Sequence, residues 1–391
     1  MQLRASVLIP LLGALLCAAA TAQSRPESLS PAISPAISID QLKQLLAALS
    51  PASSGQSTGP VANLHDATLA SQIDKLQLSE RLTEPALAEI LAASTFGQQT
   101  RQALQLLADR FALLDPPASE LPKLPPPDES HQQQMLEDAR VYVFQTLSHL
   151  PNFFATRTTT RFYGIPPELN ESGMPVQGLH LRGAYSREIT FRNGKELIDP
   201  MKHPQGYETP LSLGLESWGE FGAEPAMILT DVAADTIGFH HWEKGPTGVV
   251  AVFRFSVPEP ESHYEVQYTC NGSDAFHGKP AYQGTLALDP DSGAILRVTI
   301  QADSKAGDPL SHVASVVGYG PVEIGGKNYI CPLRSLAFSV EERNTCTDEM
   351  HHNGVVKRMY LNRTTFTDYH RLGSTWRIVT DPAAGTQAPQ K

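Results

Sequence analysis

The stretch VVAVFRFSV (Val249–Val257) begins the part of the chain that decides its fold. Phe253 and Phe255 fall on one face of an extended chain. Arg254 and Ser256 fall on the other face, which is the alternation of a half-buried β-strand. Three further segments repeat this alternation: HYEVQYT (263–269), YQGTLAL (282–288) and AILRVTI (294–300). The sequence therefore predicts four antiparallel strands in a row.

Turn-forming residues and a helix that precedes the strands indicate how the strands are arranged. Proline, aspartate and glycine between Asp289 and Gly293 favour a tight reversal, and Asn193-Gly194 is a strong hairpin signal. Residues 130–150 carry an apolar stripe at helical spacing and lead into the strand-like FFATRTTTRFYG. The sequence predicts an α+β fold in which a long curved antiparallel sheet, a half-barrel, wraps around a helix, with an N-terminal helical module.

Composition divides the chain into six regions. Helical spacing of leucine and isoleucine marks the module, and serine-rich and proline-rich stretches flank it. The predicted regions are a signal peptide (1–22), a disordered leader (23–61), a helical module (62–114), a proline-rich linker (115–129), the half-barrel domain (130–380) and a disordered tail (381–391).

The first 22 residues have the features of a secretory signal peptide. Arg4 precedes an apolar run, and Ala20-Thr21-Ala22 is a cleavage signal, so we expect cleavage after Ala22 and a periplasmic or secreted protein. No later stretch is apolar for long enough to predict a transmembrane segment. The formal net charge is −11, and removal of the single basic residue in residues 1–22 makes it −12, which argues against nucleic acid as a partner.

Three cysteines follow the expected cleavage site. In an oxidising compartment two of them would pair. If the strands form an up-and-down meander, Cys270 and the loop that carries Cys346 lie at one rim of the sheet, and Cys331 lies at the other. The sequence therefore predicts a disulfide between Cys270 and Cys346.

Two segments resemble a known superfamily. In LSHLPNFFATRTTTRF (147–162) a helix passes directly into a strand, and in GTLALDPDSGAILRVTI (284–300) two strands flank a turn. Both resemble the periplasmic half-barrels that include the lipoprotein carriers LolA and LolB and the sensor domain of RseB. The region 130–379 also looks like uncharacterised secreted proteins of soil acidobacteria, in VFRFSVPEPESHYEV (252–266), YICPLRSL (329–336) and YLNRTTFTDYH (360–370). The resemblance implies an open sheet around a helix, with an apolar cavity that holds acyl chains and with no catalytic residues.

The sequence matches to catalytic and metal-binding motifs are better explained without a functional site. Residues 55–59 match G-x-S-x-G, but the match lies in a linker without the strand and helix that a nucleophile elbow needs. Glu216 and Glu220 could share a helix face as an acid/base pair, although two acidic residues on a solvated turn are commoner. His240 and His241 would point to opposite faces of a strand, so they cannot bind one ion unless a bulge intervenes. We therefore expect no enzyme activity, no metal site and no cofactor.

The apolar strand face is the candidate ligand site. A carrier must keep part of such a face free for its guest. The predicted lining is Phe253, Phe255, Tyr264, Val266, Leu286, Leu296, Val298, Leu336 and Phe338. We expect an exported, non-enzymatic protein that binds a hydrophobic ligand, a lipid or lipoprotein acyl chain, in the cell envelope. The alternative is an envelope interaction or sensor module with a solid sheet, whose helical region binds a protein partner.

Overall fold

A computed structural model describes the chain over residues 36–49, 60–165, 178–197, 205–206, 214–245, 248–270, 273–341 and 357–372. Several predictions concern residues outside these ranges. They are the signal peptide, most of the leader, the G-x-S-x-G match, Cys346 with its disulfide, and the tail.

Four helices form the N-terminal module: α1 (Ile39–Leu49), α2 (Pro60–Ile73), α3 (Glu84–Ala93) and α4 (Gln98–Arg110). Their leucine and isoleucine side chains bury one shared core. The Thr83 hydroxyl caps α3 by accepting a hydrogen bond from the Ala86 backbone N–H (3.3 Å). Helix α1 lies inside the range expected to be a disordered leader. Its buried Ile39, Leu42 and Leu46 make it part of the module, because this apolar stripe outweighs the linker composition around it.

A proline-rich connection leads from the module to α5 (Glu129–Val141). The Asp128 carboxylate caps this helix by accepting from the His131 backbone N–H (2.8 Å). The helix continues as a π-turn (Tyr142–Thr146) and a 3₁₀-turn (Leu147–His149), and β1 (Phe153–Gly164) follows. The helix therefore passes into a strand within a few residues, as the sequence predicts.

The rest of the described chain is mostly strand. The elements after β1 are β2 (His180–Arg192), β3 (Lys195–Leu197), β4 (Gln205–Gly206), α6 (Ala223–Asp231), β5 (Ile237–Lys244), β6 (Val249–Val257), β7 (Val266–Cys270), β8 (Ser273–Gly278), β9 (Tyr282–Leu288), β10 (Ile295–Ala302), β11 (Leu310–Ile324), β12 (Lys327–Glu341) and β13 (Arg358–Arg371).

Eleven of these strands form one open antiparallel sheet in the order β3-β2-β1-β13-β12-β11-β10-β9-β6-β5, with β4 paired to β2. The predicted α+β class, with a long antiparallel sheet and a helix against it, is confirmed. Strand β1 pairs with β13, so the first strand lies inside the sheet rather than at its edge.

The prediction of four consecutive strands between residues 249 and 300 is wrong for its second member. β6 pairs directly with β9, and β7 leaves the sheet to pair with β8 in a separate two-stranded ribbon. The alternation in HYEVQYT correctly indicates a strand. It does not determine the partner of that strand, because alternation shows which side chains are buried and not which strand forms the hydrogen bonds. Tyr268 is buried beside Leu310 of β11, although β7 pairs with β8.

The main core lies where α5 and α6 pack on one face of the sheet. Met135 and Ala139 of α5, and Val143 of the π-turn that continues it, share one buried core cluster with strand residues such as Phe253 and Leu286. We call this side the α5 face. None of the helices in the described residues is both long and apolar enough to cross a membrane.

The turn at Gly293 fits closely against α5. Gly293 has a φ of +69°, and a Cβ at this position would lie 2.4 Å from the carbonyl carbon of Asp138 in α5. Glycine is therefore needed both for the backbone angle and for the close approach of the helix.

Candidate ligand-binding cavity

The helical module packs on the face of the sheet opposite α5, which we call the module face. Leu106 of α4 contacts Val316, Leu336 and Leu361 of three neighbouring strands in a small apolar cluster. This contact places the end of α4 over the centre of the sheet. Both faces of the sheet are therefore covered.

Two ionic groups hold the module on the sheet. Arg81, which precedes α3, donates to Oε2 of Glu243 on β5 (2.7 Å). Arg297 on β10 donates two hydrogen bonds to the same carboxylate, each of 2.8 Å. The second group joins Asp109 of α4, which is fully buried, to Arg334 and Arg363.

A cavity of about 880 Å³ lies between the module and the module face. Leu82, Leu87 and Leu91 line it from the module, and Val250 and Leu296 line it from the sheet. Ligand pockets commonly measure roughly 300 to 1,000 Å³ and are mostly apolar. The cavity therefore has the size and lining of a site for a hydrophobic small molecule.

Charged side chains border this apolar lining. Burial raises the pKa of Glu243, but hydrogen bonds from His241 and Arg297 outweigh burial and hold that pKa well below its usual range. Burial lowers the pKa of Arg334 to about 10. At neutral pH these groups therefore carry their charges next to an apolar space.

The nine side chains predicted to line a ligand site do not share one surface. Four of them lie in the main core on the α5 face: Phe253, Phe255, Leu286 and Val298. Each is at most 2% exposed and packs among other core side chains. They act as core, and the described cavity lies on the other side of the sheet.

Three of the nine lie on the module face. Leu296 packs with Val250, Val252 and Ala287, and it lines the cavity. Leu336, which also lines the cavity, and Phe338 belong to the cluster around Leu106.

A bulge and a covered outer face explain the placement of these three residues. Leu296 is the extra residue of a β-bulge in β10, so it leaves the face of Val298 although two positions separate them. On β12 the apolar alternation faces the module, and small polar residues such as Ser335 face α5. A sequence pattern cannot show which face is apolar when both faces are buried.

The remaining two candidates lie at the separate ribbon. Val266 of β7 is buried with Tyr268 and Leu310. Tyr264 packs against both this cluster and the main core, and its ring lies 5.4 Å from that of Tyr282. These residues close the side of the core rather than line the cavity.

A buried polar group on the α5 face was missed by the sequence analysis. The guanidinium of Arg157, which is fully buried, lies 3.6 Å from Glu196 and 3.5 Å from Glu220, and Nη2 donates to the Ser217 carbonyl (2.6 Å). The Trp218 ring stacks on it at 4.6 Å. The sequence did carry a signal for this group. In the alternation of β1, Arg157 falls on the same face as the buried Phe153 and Ala155.

Glu216 and Glu220 differ from the solvated turn that the sequence favours. Both lie on the loop before α6, where Glu220 is fully buried and Glu216 accepts hydrogen bonds from Arg161 and Tyr185. Burial, with repulsion from Glu220, raises the pKa of Glu196 to about 7 and that of Glu224 to about 8. Glu196 and Glu224 can therefore remain partly protonated near neutral pH.

Cys331 is fully buried on β12 and forms no disulfide with a described residue. Burial raises the pKa of its thiol to about 12.

Comparisons of this chain with protein families, with curated proteins and with solved structures find no match.

Proposed function

We propose that this protein binds a hydrophobic ligand, a lipid or lipoprotein acyl chain, between its helical module and the module face of the sheet. The observation that carries the proposal is the cavity of about 880 Å³, with leucine side chains on the module wall and leucine and valine side chains on the sheet wall. Apolar cavities bind apolar guests because each guest removes hydrocarbon surface from water. The proposed site lies on the opposite side of the sheet from Phe253, Phe255, Leu286 and Val298, and it includes Leu296 and Leu336 of the predicted lining.

The charged edge of the cavity favours a ligand with an anionic end. Arg81 and Arg297 share the single carboxylate of Glu243, so this group of three carries a net positive charge. Arg81 and Arg297 both line the cavity. A ligand carboxylate or phosphate at this edge would be attracted by the net positive charge of the group.

The cellular setting remains a prediction. The expected signal peptide and the resemblance to the LolA, LolB and RseB half-barrels support placing the activity in the periplasm or outside the cell. They also support a non-enzymatic carrier. The arrangement differs from what the resemblance implies, because α5 packs against core side chains and the cavity lies under the module.

A fatty-acid binding assay tests the proposal. The purified full chain is extracted with organic solvent for mass spectrometry, and a delipidated sample is titrated with the fluorescent fatty acid cis-parinaric acid. We expect saturable binding with one site per chain. Leu296→Trp, which adds volume to a wall of the cavity, should weaken binding at least about tenfold, a loss of about 1.4 kcal/mol.

Leu181→Trp is the matched control, because Leu181 is 66% exposed on β2 and is not part of the lining. It should bind the probe as the unaltered chain does. Equal affinity in both tryptophan variants, or no saturable binding by the unaltered chain, would overturn the proposal.

The alternative, a partner-binding helical module, needs a different test from deletion. The module supplies one wall of the cavity, so deletion of residues 64–114 would remove ligand binding as well as partner capture. Leu296→Trp separates the two functions, because Leu296 lies beneath the module and should not alter a surface that binds a partner.

A further inference from the structure

A β-bulge in β5 brings two neighbouring histidines together. Phe239 lies opposite Phe253 in the register between β5 and β6. His241 lies opposite Val252, the preceding residue of β6, so His240 has no partner in this register. The bulge breaks the alternation that would send the two side chains to opposite faces. The two imidazole ring centres are 4.6 Å apart.

Asp115, which directly follows the helical module, reaches the same point. Its backbone carbonyl accepts a hydrogen bond from the Arg81 N–H (2.8 Å), which fixes this part of the chain beside β5. Asp115 Oδ1 lies 3.8 Å from His240 Nε2. One ligand atom from each of Asp115, His240 and His241 lies within 4.8 Å of the other two.

These separations can close around a small ion. With bonds of about 2.0 to 2.2 Å, neighbouring ligand atoms of a tetrahedral zinc ion are roughly 3.4 Å apart. Asp115 and His240 are exposed, so small side-chain rotations bring their atoms to that distance. Two imidazoles with one carboxylate suit Zn²⁺, Cu²⁺ or Ni²⁺ better than Ca²⁺ or Mg²⁺, which prefer oxygen ligands.

His241 has the support that metal-binding histidines usually have. Its Nε2 lies 2.8 Å from Glu243 Oε1, and Arg81 and Arg297 hold that carboxylate in place. A carboxylate hydrogen-bonded to one imidazole nitrogen orients the ring and leaves the other nitrogen for an ion. This contact leaves Nδ1 of His241 for an ion.

Arg254 occupies the neighbourhood of the proposed ion. Its Nη2 lies 2.9 Å from His240 Nε2 and 3.6 Å from Asp115 Oδ2. Because a guanidinium can only donate, Nε2 of His240 presents its lone pair at this point. The Arg254 side chain is 55% exposed and can turn into solvent when a cation takes its place.

We propose that Asp115, His240 and His241 form a binding site for a divalent transition-metal ion such as Zn²⁺. Asp115 and His241 also line a cavity of about 220 Å³, which leaves room for water at a further coordination position. The ion would join the end of the module to β5. It would therefore lock the module on the sheet.

Isothermal titration calorimetry with ZnCl₂ on the full chain, produced without a polyhistidine tag, tests the site. We expect one tight ion per chain. His240→Ala, His241→Ala and Asp115→Asn should each weaken binding by at least about tenfold, since even the loss of a supporting residue typically weakens metal binding about 10- to 100-fold. His277→Ala is the control, because His277 is exposed and pairs with Glu265 away from this site.

Thermal unfolding provides a second readout. Zn²⁺ should raise the midpoint of the unaltered chain and of His277→Ala, because an ion that binds the native state stabilises it. His240→Ala should lose this shift, and its exposed position makes it the variant most certain to fold. Unchanged affinity in both His240→Ala and Asp115→Asn, or no binding by the unaltered chain, would overturn the proposal.

Discussion

Arg81 and Glu243 are 162 positions apart in the chain, yet the Arg81 guanidinium donates to Glu243 Oε2 across 2.7 Å. Both side chains are largely buried, at 12% and 6% exposure. Arg297 and His241 bind the same carboxylate. This contact ties the helical module to β5 beside the ligand cavity and the proposed metal site.

Loss of the Glu243 charge should destabilise the protein strongly. Glu243→Gln leaves Arg81 and Arg297 buried without their counter-charge, and removal of one partner from a buried ionic group costs about 3 to 5 kcal/mol. The free energy of unfolding in urea measures this loss. The matched control is Glu89→Gln, because the contact of Glu89 with Lys43 is exposed and should contribute below about 1 kcal/mol. Equal losses of unfolding free energy in the two variants would contradict the claim that the buried contact of Glu243 stabilises the fold more than an exposed one.

Alanine substitutions at two glycines with positive φ distinguish the cost of backbone strain from the cost of a clash with α5. Gly326→Ala adds a Cβ in open space at a φ of +81°, so it should cost about 1 to 2 kcal/mol for the backbone angle alone. Gly293→Ala adds the same strain and also an overlap with the α5 backbone at Asp138, which should cost about 1 to 3 kcal/mol more. Urea unfolding of both variants measures the difference. If Gly293→Ala lowers the unfolding free energy no more than Gly326→Ala does, α5 does not pack against this turn.

The stability of the native state should fall with rising pH because of Glu224. Burial and Glu220 raise the pKa of its carboxyl from 4.5 to about 8 in the folded chain. Between these values the folded state keeps a proton that the unfolded state has released. Each pH unit in that window therefore lowers the unfolding free energy by up to about 1.4 kcal/mol.

Glu224→Gln removes this titration and keeps the side-chain shape. The slope of unfolding free energy against pH should become flatter in Glu224→Gln and stay unchanged in Glu323→Gln, whose side chain is exposed. An unchanged slope in Glu224→Gln would show that the carboxyl ionises without cost in the folded protein.

Cys331 should resist alkylation until the protein unfolds. The thiolate is the reactive form, and burial both raises the pKa of this thiol to about 12 and blocks access. Iodoacetamide should leave Cys331 unmodified in the native chain and modify it fully in denaturant, as read by peptide mass spectrometry. Rapid native modification of Cys331 would mean that β12 opens or that its inner face is accessible.

Much of the fold follows from local pattern. The strand alternation and the turn at Gly293 act over a few residues, and the run from α5 into β1 is also local. Such signals depend only on backbone angles and on side-chain periodicity, which sequence displays directly. The pairing of β1 with β13, and the departure of β7 from the sheet, depend on contacts far apart in the chain and were not predictable from these patterns.

The sites depended on tertiary structure for a related reason. Leu296 and Leu336 are in the predicted set and do line the cavity, but the bulge in β10 and the module over the outer face decide this placement. His240 and His241 meet only because β5 also bulges. Asp115 joins them from the start of the proline-rich linker. Sequence by itself determined most of the segments that are helix or strand, with α1 as an exception, because those preferences are local. The tertiary structure alone decided which faces meet, because burial and charge pairing are set by the chain as a whole.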